Sequence, residues 1–94
     1  MPALLLRHRV TDVPFWQQVF EEQGAIRWSN GCRGARVFRN TDDPGEVLIL
    51  FDWDDLHRAR LYSQSDELQE SLRMAGIIDD PDVWILEHTG DAPS

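Results

Sequence analysis

The stretch EVLILFDW, residues 46–53, constrains the fold more than any other. A strand sends alternate residues to opposite faces, so Val47, Ile49, Phe51 and Trp53 share one face. Leu48, Leu50 and Asp52 share the other. Both faces are apolar, and each needs cover. The chain has 94 residues, which make one domain over 1–94 with no room for a second. A chain of that length buries roughly 60–65% of its unfolded surface, so little remains to cover a second face.

ALLLRHR (3–9) reads as a short strand. TDV is a helix start, in which Thr11 or Asp12 caps exposed amides and Pro14 is tolerated in the first turn. Phe15, Trp16, Val19, Phe20 and Ile26 then fall on one side of a 3.6-residue helix. Gly24 costs such a helix about 1 kcal/mol, a point at which it ends or kinks. WSNGCRG (28–34) reads as loop. ARVFRN (35–40) and EVLILFDW form a hairpin across TDDPG, with a loop longer than two residues. Asp54 or Asp55 caps a second helix, LHRARLYSQ (56–64). Ser65, followed by Asp66 and Glu67, starts another, which carries Leu68, Leu72 and Ala75 on one face and stops at Gly76. IIDDPD (77–82) connects to a last strand, VWILEH (83–88), and residues 89–94 read as a frayed tail.

The order is βαββααβ. Its simplest packing is a four-stranded antiparallel sheet with the helices on one face, an α+β ferredoxin-like subunit. Such a sheet leaves about six large apolar side chains bare on its other face, a loss on the order of 10 kcal/mol. A patch of that size marks an interface, and a second copy related by two-fold symmetry covers it. The expected assembly is a homodimer through the sheet face.

This architecture resembles the dimeric α+β barrel superfamily, and within it the antibiotic biosynthesis monooxygenase-like proteins. The likeness rests on DVPFWQQVFEEQ, with Asp12 and Trp16, on GCRGARVFRNTDDPGEVLILFDWDDLHRAR and on MAGIIDDPDVWILE, from Leu4 to Glu87. It implies a pocket in each subunit between helices and sheet. Superfamily members oxidise polyketide phenols without a cofactor, degrade haem, isomerise lactones or cyclise polyketides, so the fold alone does not choose a reaction. The resemblance also implies His in many relatives where this chain has Gln23. Glutamine is no general base at neutral pH, though it can hold a ligand by hydrogen bonds.

Gln23 is also singled out by position, since at 100° per residue it points along the apolar stripe of its helix. A polar amide aimed there finds partners, water or a ligand. Trp16, Trp28, Trp53 and Trp84 with Tyr62 are many aromatics for this length. They serve either as walls for a flat ligand or as core and interface packing. Trp16 and Trp53 lie on elements that should meet, and Tyr62 sits at the margin of its helix's apolar side. His8 shares strand parity with Leu4 and Leu6 and is the one histidine placed to act as a base. His57 reads as solvated and His88 as strand-end. Cys32 lies near Arg33 and Arg36, which favour a thiolate, but reads first as a small residue at a strand start. Arg36 and Arg39 point to opposite faces, as on an edge strand guarded by charge.

The histidines lack metal-ligand spacing, and DDPGE and IIDDPD lack the alternation of a calcium loop. Neither a phosphate-cradling glycine loop nor a Gly-x-Ser-x-Gly elbow occurs. The helix SDELQESLRMAG has no histidine, which argues against the haem degraders of the superfamily. No cofactor and no metal are expected. A net charge of −8 disfavours nucleic acid and anionic membranes. One cysteine and no export signal suggest the cytoplasm. Two functions stay open. One is a cofactor-independent monooxygenase or related enzyme on a small aromatic or polyketide-like molecule, with Trp16 and Trp53 as walls, Gln23 orienting and His8 as base. The other is a non-catalytic protein that binds a small organic metabolite in the same pocket.

Overall fold

The computed structural model describes residues 1–77 and 79–94. Strand β1 (Ala3–Arg9) is followed by helices α1 (Val13–Glu22) and α2 (Gly24–Asn30) and by strands β2 (Cys32–Asn40) and β3 (Asp43–Trp53). Helices α3 (Leu56–Ser63) and α4 (Asp66–Met74) lead to strand β4 (Asp82–Leu86). The strands form one antiparallel sheet in the order β2-β3-β1-β4, the ferredoxin-like arrangement. Of the connector 77–82, Ile78 lies outside the described residues.

Local chemistry sets the helix starts. Asp12 accepts a hydrogen bond from the Phe15 amide at 3.1 Å, and Asp55 accepts one from Arg58 at 3.1 Å. Ser65 Oγ accepts from Leu68 at 3.1 Å, with Asp66 and Glu67 at the positive end of the α4 dipole. The first helix ends beside Gly24, as its glycine predicts, and a second helix that the element order did not include follows it. Gln23 leaves helical geometry at φ −86°, ψ 1°, and α2 runs on through Trp28, Ser29 and Asn30, which the composition assigns to loop. Ser29 Oγ and Asn30 Nδ2 both donate to the Ile26 carbonyl at 2.8 Å, so these polar side chains close the last turn instead of breaking it. Gly31 then stops the helix at φ 113°, where a Cβ would stand 2.6 Å from Asp54 Oδ1. This corner is fastened to the β3–α3 corner. The Asp54 amide donates to the Gly31 carbonyl at 3.0 Å, Arg33 pairs with Asp54 at 3.0 Å, and Arg58 donates to the Ser29 carbonyl at 2.8 Å.

The hairpin is tighter than expected. Only Thr41 and Asp42 form the turn, and β3 begins at Asp43. Pairing with β1 starts at Glu46, so Pro44 lies where β3 has a single neighbour and its missing N–H costs no second ladder bond. At the other end β4 closes at Leu86, short of Glu87 and His88.

The alternation read from β3 holds in space. Leu4, Leu6 and His8 of β1 pair with Phe51, Ile49 and Val47 of β3 on the helix side, and all six are buried. Trp16, Val19, Ala59, Tyr62, Leu68 and Leu72 cover them. Phe15 and Ile26, expected on the same stripe, are 47% and 41% exposed. Phe15 turns to the flank of α1, and the break at Gln23 takes Ile26 out of phase with Val19. On the other face Leu5, Leu48 and Leu50 are half-buried and Phe38, Trp84 and Leu86 exposed, an apolar centre without cover. Both Arg36 and Arg39 are exposed on β2, an edge strand.

Candidate functional site

Between the sheet and the four helices lies a cavity of about 20 Å³, room for one water molecule. The strands contribute Leu6, His8, Ile49 and Phe51 to its wall, and α1 contributes Trp16 and Phe20. Arg27 of α2, Tyr62 of α3 and Leu68, Ser71 and Leu72 of α4 close it. The aromatic rings form a connected wall. His8 lies 5.6 Å from Trp16 between ring centroids, Trp16 stacks on Phe20 at 5.1 Å, and Phe20 meets Phe51 at 6.0 Å.

His8 is 1% exposed, and neither ring nitrogen has a hydrogen-bond partner among the described residues. Burial pushes its pKa down to about 4, with the Arg7 charge adding to the shift and Asp79 opposing it. The imidazole is therefore neutral at physiological pH, with one nitrogen free to accept and the other to donate. Tyr62 borders the cavity, and burial raises its phenol above the usual value. Cys32 is buried, its Sγ donates to the Gly34 carbonyl at 3.4 Å, and burial raises the thiol despite Arg27 and Arg33. It is an inert thiol rather than a thiolate.

The fold brings three of the five expected site residues, His8, Trp16 and Tyr62, around one space. Trp53 stands behind Tyr62 at 5.0 Å, away from the cavity, and its buried Nε1 has no partner among the described residues. Gln23 does not reach the cavity. It caps the C-terminal end of α1, half-buried, and lines an open groove with Ile26, Gln64 and the first turns of α4. Its angle about the helix axis matches Trp16 and Val19, but it sits a turn beyond them, past the cover of the sheet. His57 is exposed on α3, and His88 bonds Asp91 beyond β4.

Sequence reasoning missed Arg27 and Phe20 as cavity residues. Arg27 is 7% exposed, and its guanidinium carbon lies 3.9 Å from the centre of the Phe20 ring. Seven residues, close to two helical turns, separate the pair. That spacing is the signal in the sequence that could have paired them. No cluster of three or more His, Cys, Asp or Glu side chains suited to a metal occurs among the described residues. Nor, among them, is any helix long and apolar enough to cross a membrane.

Comparison with known proteins bears on this site through the fold. SnoaB, a cofactor-independent oxygenase from Streptomyces nogalater, superposes with a TM-score of 0.78 at 12% identity, over 99% of this chain and 97% of that one. A crystal structure of an antibiotic biosynthesis monooxygenase superposes at 0.70 with 14% identity, over 96% and 100%. A conserved protein from Methanosarcina mazei Go1 gives 0.69 at 15%, over 89% and 88%. Comparison with curated proteins finds no match. The sequence model of one family, antibiotic biosynthesis monooxygenase, matches residues 15–73, a span running from the first residues of α1 to the last turn of α4 and taking in most of the cavity wall. With more than half its length matched, the chain belongs to the antibiotic biosynthesis monooxygenase family.

Proposed function

We propose that the protein is a cofactor-independent monooxygenase acting on a small phenolic aromatic or polyketide-like molecule. The observation that carries this reading is His8, a neutral imidazole facing an aromatic cavity with neither nitrogen partnered among the described residues. An unpaired buried polar group costs about 1–3 kcal/mol, a cost that a hydroxylated ligand relieves by bonding to it. A phenol held by His8 that gives up its proton becomes an electron-rich phenolate, and its reaction with O₂ balances when one oxygen atom enters the ring as a quinone carbonyl and the other leaves as water, all four electrons coming from the substrate. Trp16 and Tyr62 serve as walls, and Trp53 holds Tyr62 from behind. Gln23 contacts only a ligand long enough to reach the outer groove. The working unit is a homodimer in the cytoplasm, joined through the sheet face on which Phe38, Trp84 and Leu86 are exposed.

A second reading, a non-catalytic metabolite-binding protein, is favoured by one fact. A histidine whose pKa is about 4 is a weak base, matched to holding a hydroxyl more than to removing its proton. An oxygen electrode separates the two. With polycyclic phenols and no added flavin or metal, the enzyme reading expects substrate-dependent O₂ uptake, reduced at least about 100-fold in His8→Phe. Binding of the same phenols without O₂ uptake would leave only the second reading standing.

A further inference from the structure

The cavity beside His8 holds one water molecule, whereas a single benzene ring needs roughly 150 Å³. A wall must move before any ring enters, and the walls are not held alike. β1 and β3 each have a hydrogen-bonded strand on both sides. α1 sends Trp16 and Phe20 into the centre against His8 and Phe51, so lifting it dismantles the core. α2 and α3 are fastened at one corner by Arg58, which donates to the Ser29 carbonyl at 2.8 Å and pairs with Asp54 at 3.1 Å. α4 has no such fastening. Among the described residues, no hydrogen bond or ion pair joins Asp66–Met74 to another element, and the Ser65 cap and the Arg73–Glu70 pair are local to the helix. Its inner stripe, Leu68, Ser71, Leu72 and Ala75, has the i, i+3, i+4, i+7 spacing of a face laid on a core, with two leucines as its large side chains. Both ends are pinned. The Ser65 amide donates to the Tyr62 carbonyl at 3.0 Å, and after α4 the chain turns at Gly76, φ 78°, before Ile77 bridges to Val10. A Cβ at Gly76 would meet nothing within 4 Å, so its left-handed backbone and not its packing asks for glycine. On its outer side α4 borders the groove of about 690 Å³ through Asp66, Glu67 and Glu70.

We infer that α4 is the door of the cavity, pinned at Ser65 and at Gly76–Ile77, and that it lifts to join the inner space of about 20 Å³ to the outer groove. The inference rests on the phenol-pocket reading and adds the route of entry to it. Lifting α4 bares Leu68 and Leu72, whereas lifting α1 bares Trp16 and Val19. Asp66, Glu67 and Glu70 are exposed with the helix in place and stay exposed when it lifts, so no charge loses water on either course. With α4 lifted, Gln23 and His8 border one space, and a ligand long enough to touch both enters with its hydroxyl end leading.

The test follows backbone amide exchange and the binding of 1-naphthol to the intact chain by NMR, with the Trp16 indole and His8 ring signals reporting occupancy of the cavity. A nine-residue helix is not stable alone, so its amides exchange once it is lifted. The inference expects the α4 amides to exchange through an opening that β1 and β3 do not share. It also expects the binding rate of 1-naphthol to level off with rising concentration, at the opening rate that exchange at high pH gives. Leu72→Ala should raise both rates about tenfold and leave β1 and β3 protected. If that variant fails to fold, Leu68→Ala carries the comparison. Suppose that 1-naphthol moves the Trp16 and His8 signals while α4 exchanges only together with β1 and β3, or while its binding rate stays proportional to concentration. Either result overturns the door and leaves the pocket standing. If 1-naphthol moves neither signal, the pocket reading itself fails, and the door with it.

Discussion

On the open face of β1, Arg7 pairs with Glu46 at 3.0 Å, Asp82 at 3.2 Å and Asp79 at 3.4 Å, and Arg9 pairs with Asp43. One residue away on the covered face, neither ring nitrogen of His8 has a hydrogen-bond partner among the described residues. The strand is the same and the chemistry is opposite. On the face that a single chain leaves open, charges are matched. Where the helices cover the sheet and a lone polar group is most costly, a neutral imidazole is left without a partner among the described residues. A chain selected for stability alone would do the reverse. The matched pairs tie the strands to one another, and the unmatched imidazole faces the cavity.

The most damaging way to break this contrast is to put a charge where the open face is apolar. Leu50 pairs across the sheet with Leu5 and Arg36. If a second copy covers this face, Leu50→Asp buries two carboxylates per dimer and should cost more than about 4 kcal/mol. Sedimentation should show the wild type at twice the chain mass and the variant at the chain mass or aggregated. A stable, soluble wild-type monomer would remove the interface from the argument.

A smaller effect sharpens the other side. His8 titrates at about 4 in the folded chain and near 6.5 when unfolded. Between those values the unfolded state binds the extra proton, so the contribution of His8 is whole above pH 6.5 and is lost as pH falls towards 4. The loss approaches about 3 kcal/mol. Urea unfolding of His8→Phe should therefore fall less steeply from neutral to about pH 4.5 than that of the wild type. Parallel pH profiles would mean that His8 is partnered in solution.

The smallest effect belongs to the matched face. Arg7→Ala should lower the melting temperature slightly at low salt and hardly at all in molar salt, which screens exposed pairs over a few ångströms. A large, salt-independent loss would show that the two faces differ less than their geometry suggests.

The layers of this fold were legible because they follow from periods of two residues along the strands and from caps a few residues long. EVLILFDW announces its two faces, and Asp12, Asp55 and Ser65 each bond the amide three residues on. The site was legible only in part. Strand parity turns His8 inward. Trp53 points to the correct face and still misses the cavity, because Tyr62 fills the space between. Gln23 has the right angle at the wrong height, since the break between α1 and α2 is set by packing as well as by Gly24. Arg27 stands just before the stretch that composition assigns to loop, and a basic side chain gives no sign of burial. Ser29 and Asn30 look like loop residues until their side chains are seen bonding back to Ile26.

The fastening at Gly31 has a mechanical consequence. Hydrogen bonds from Asp54 and Arg58 anchor α2 at its C-terminal end, whereas at its N-terminal end Gln23 makes no side-chain cap bond. A rod held at one end moves by rotation. With seven residues, α2 is roughly 10 Å long, and a tilt of about ten degrees about residues 29–31 carries its far end by nearly 2 Å. Arg27 lies halfway along that lever, so a tilt of that size would carry its backbone by about 1 Å while the anchored corner stayed in place.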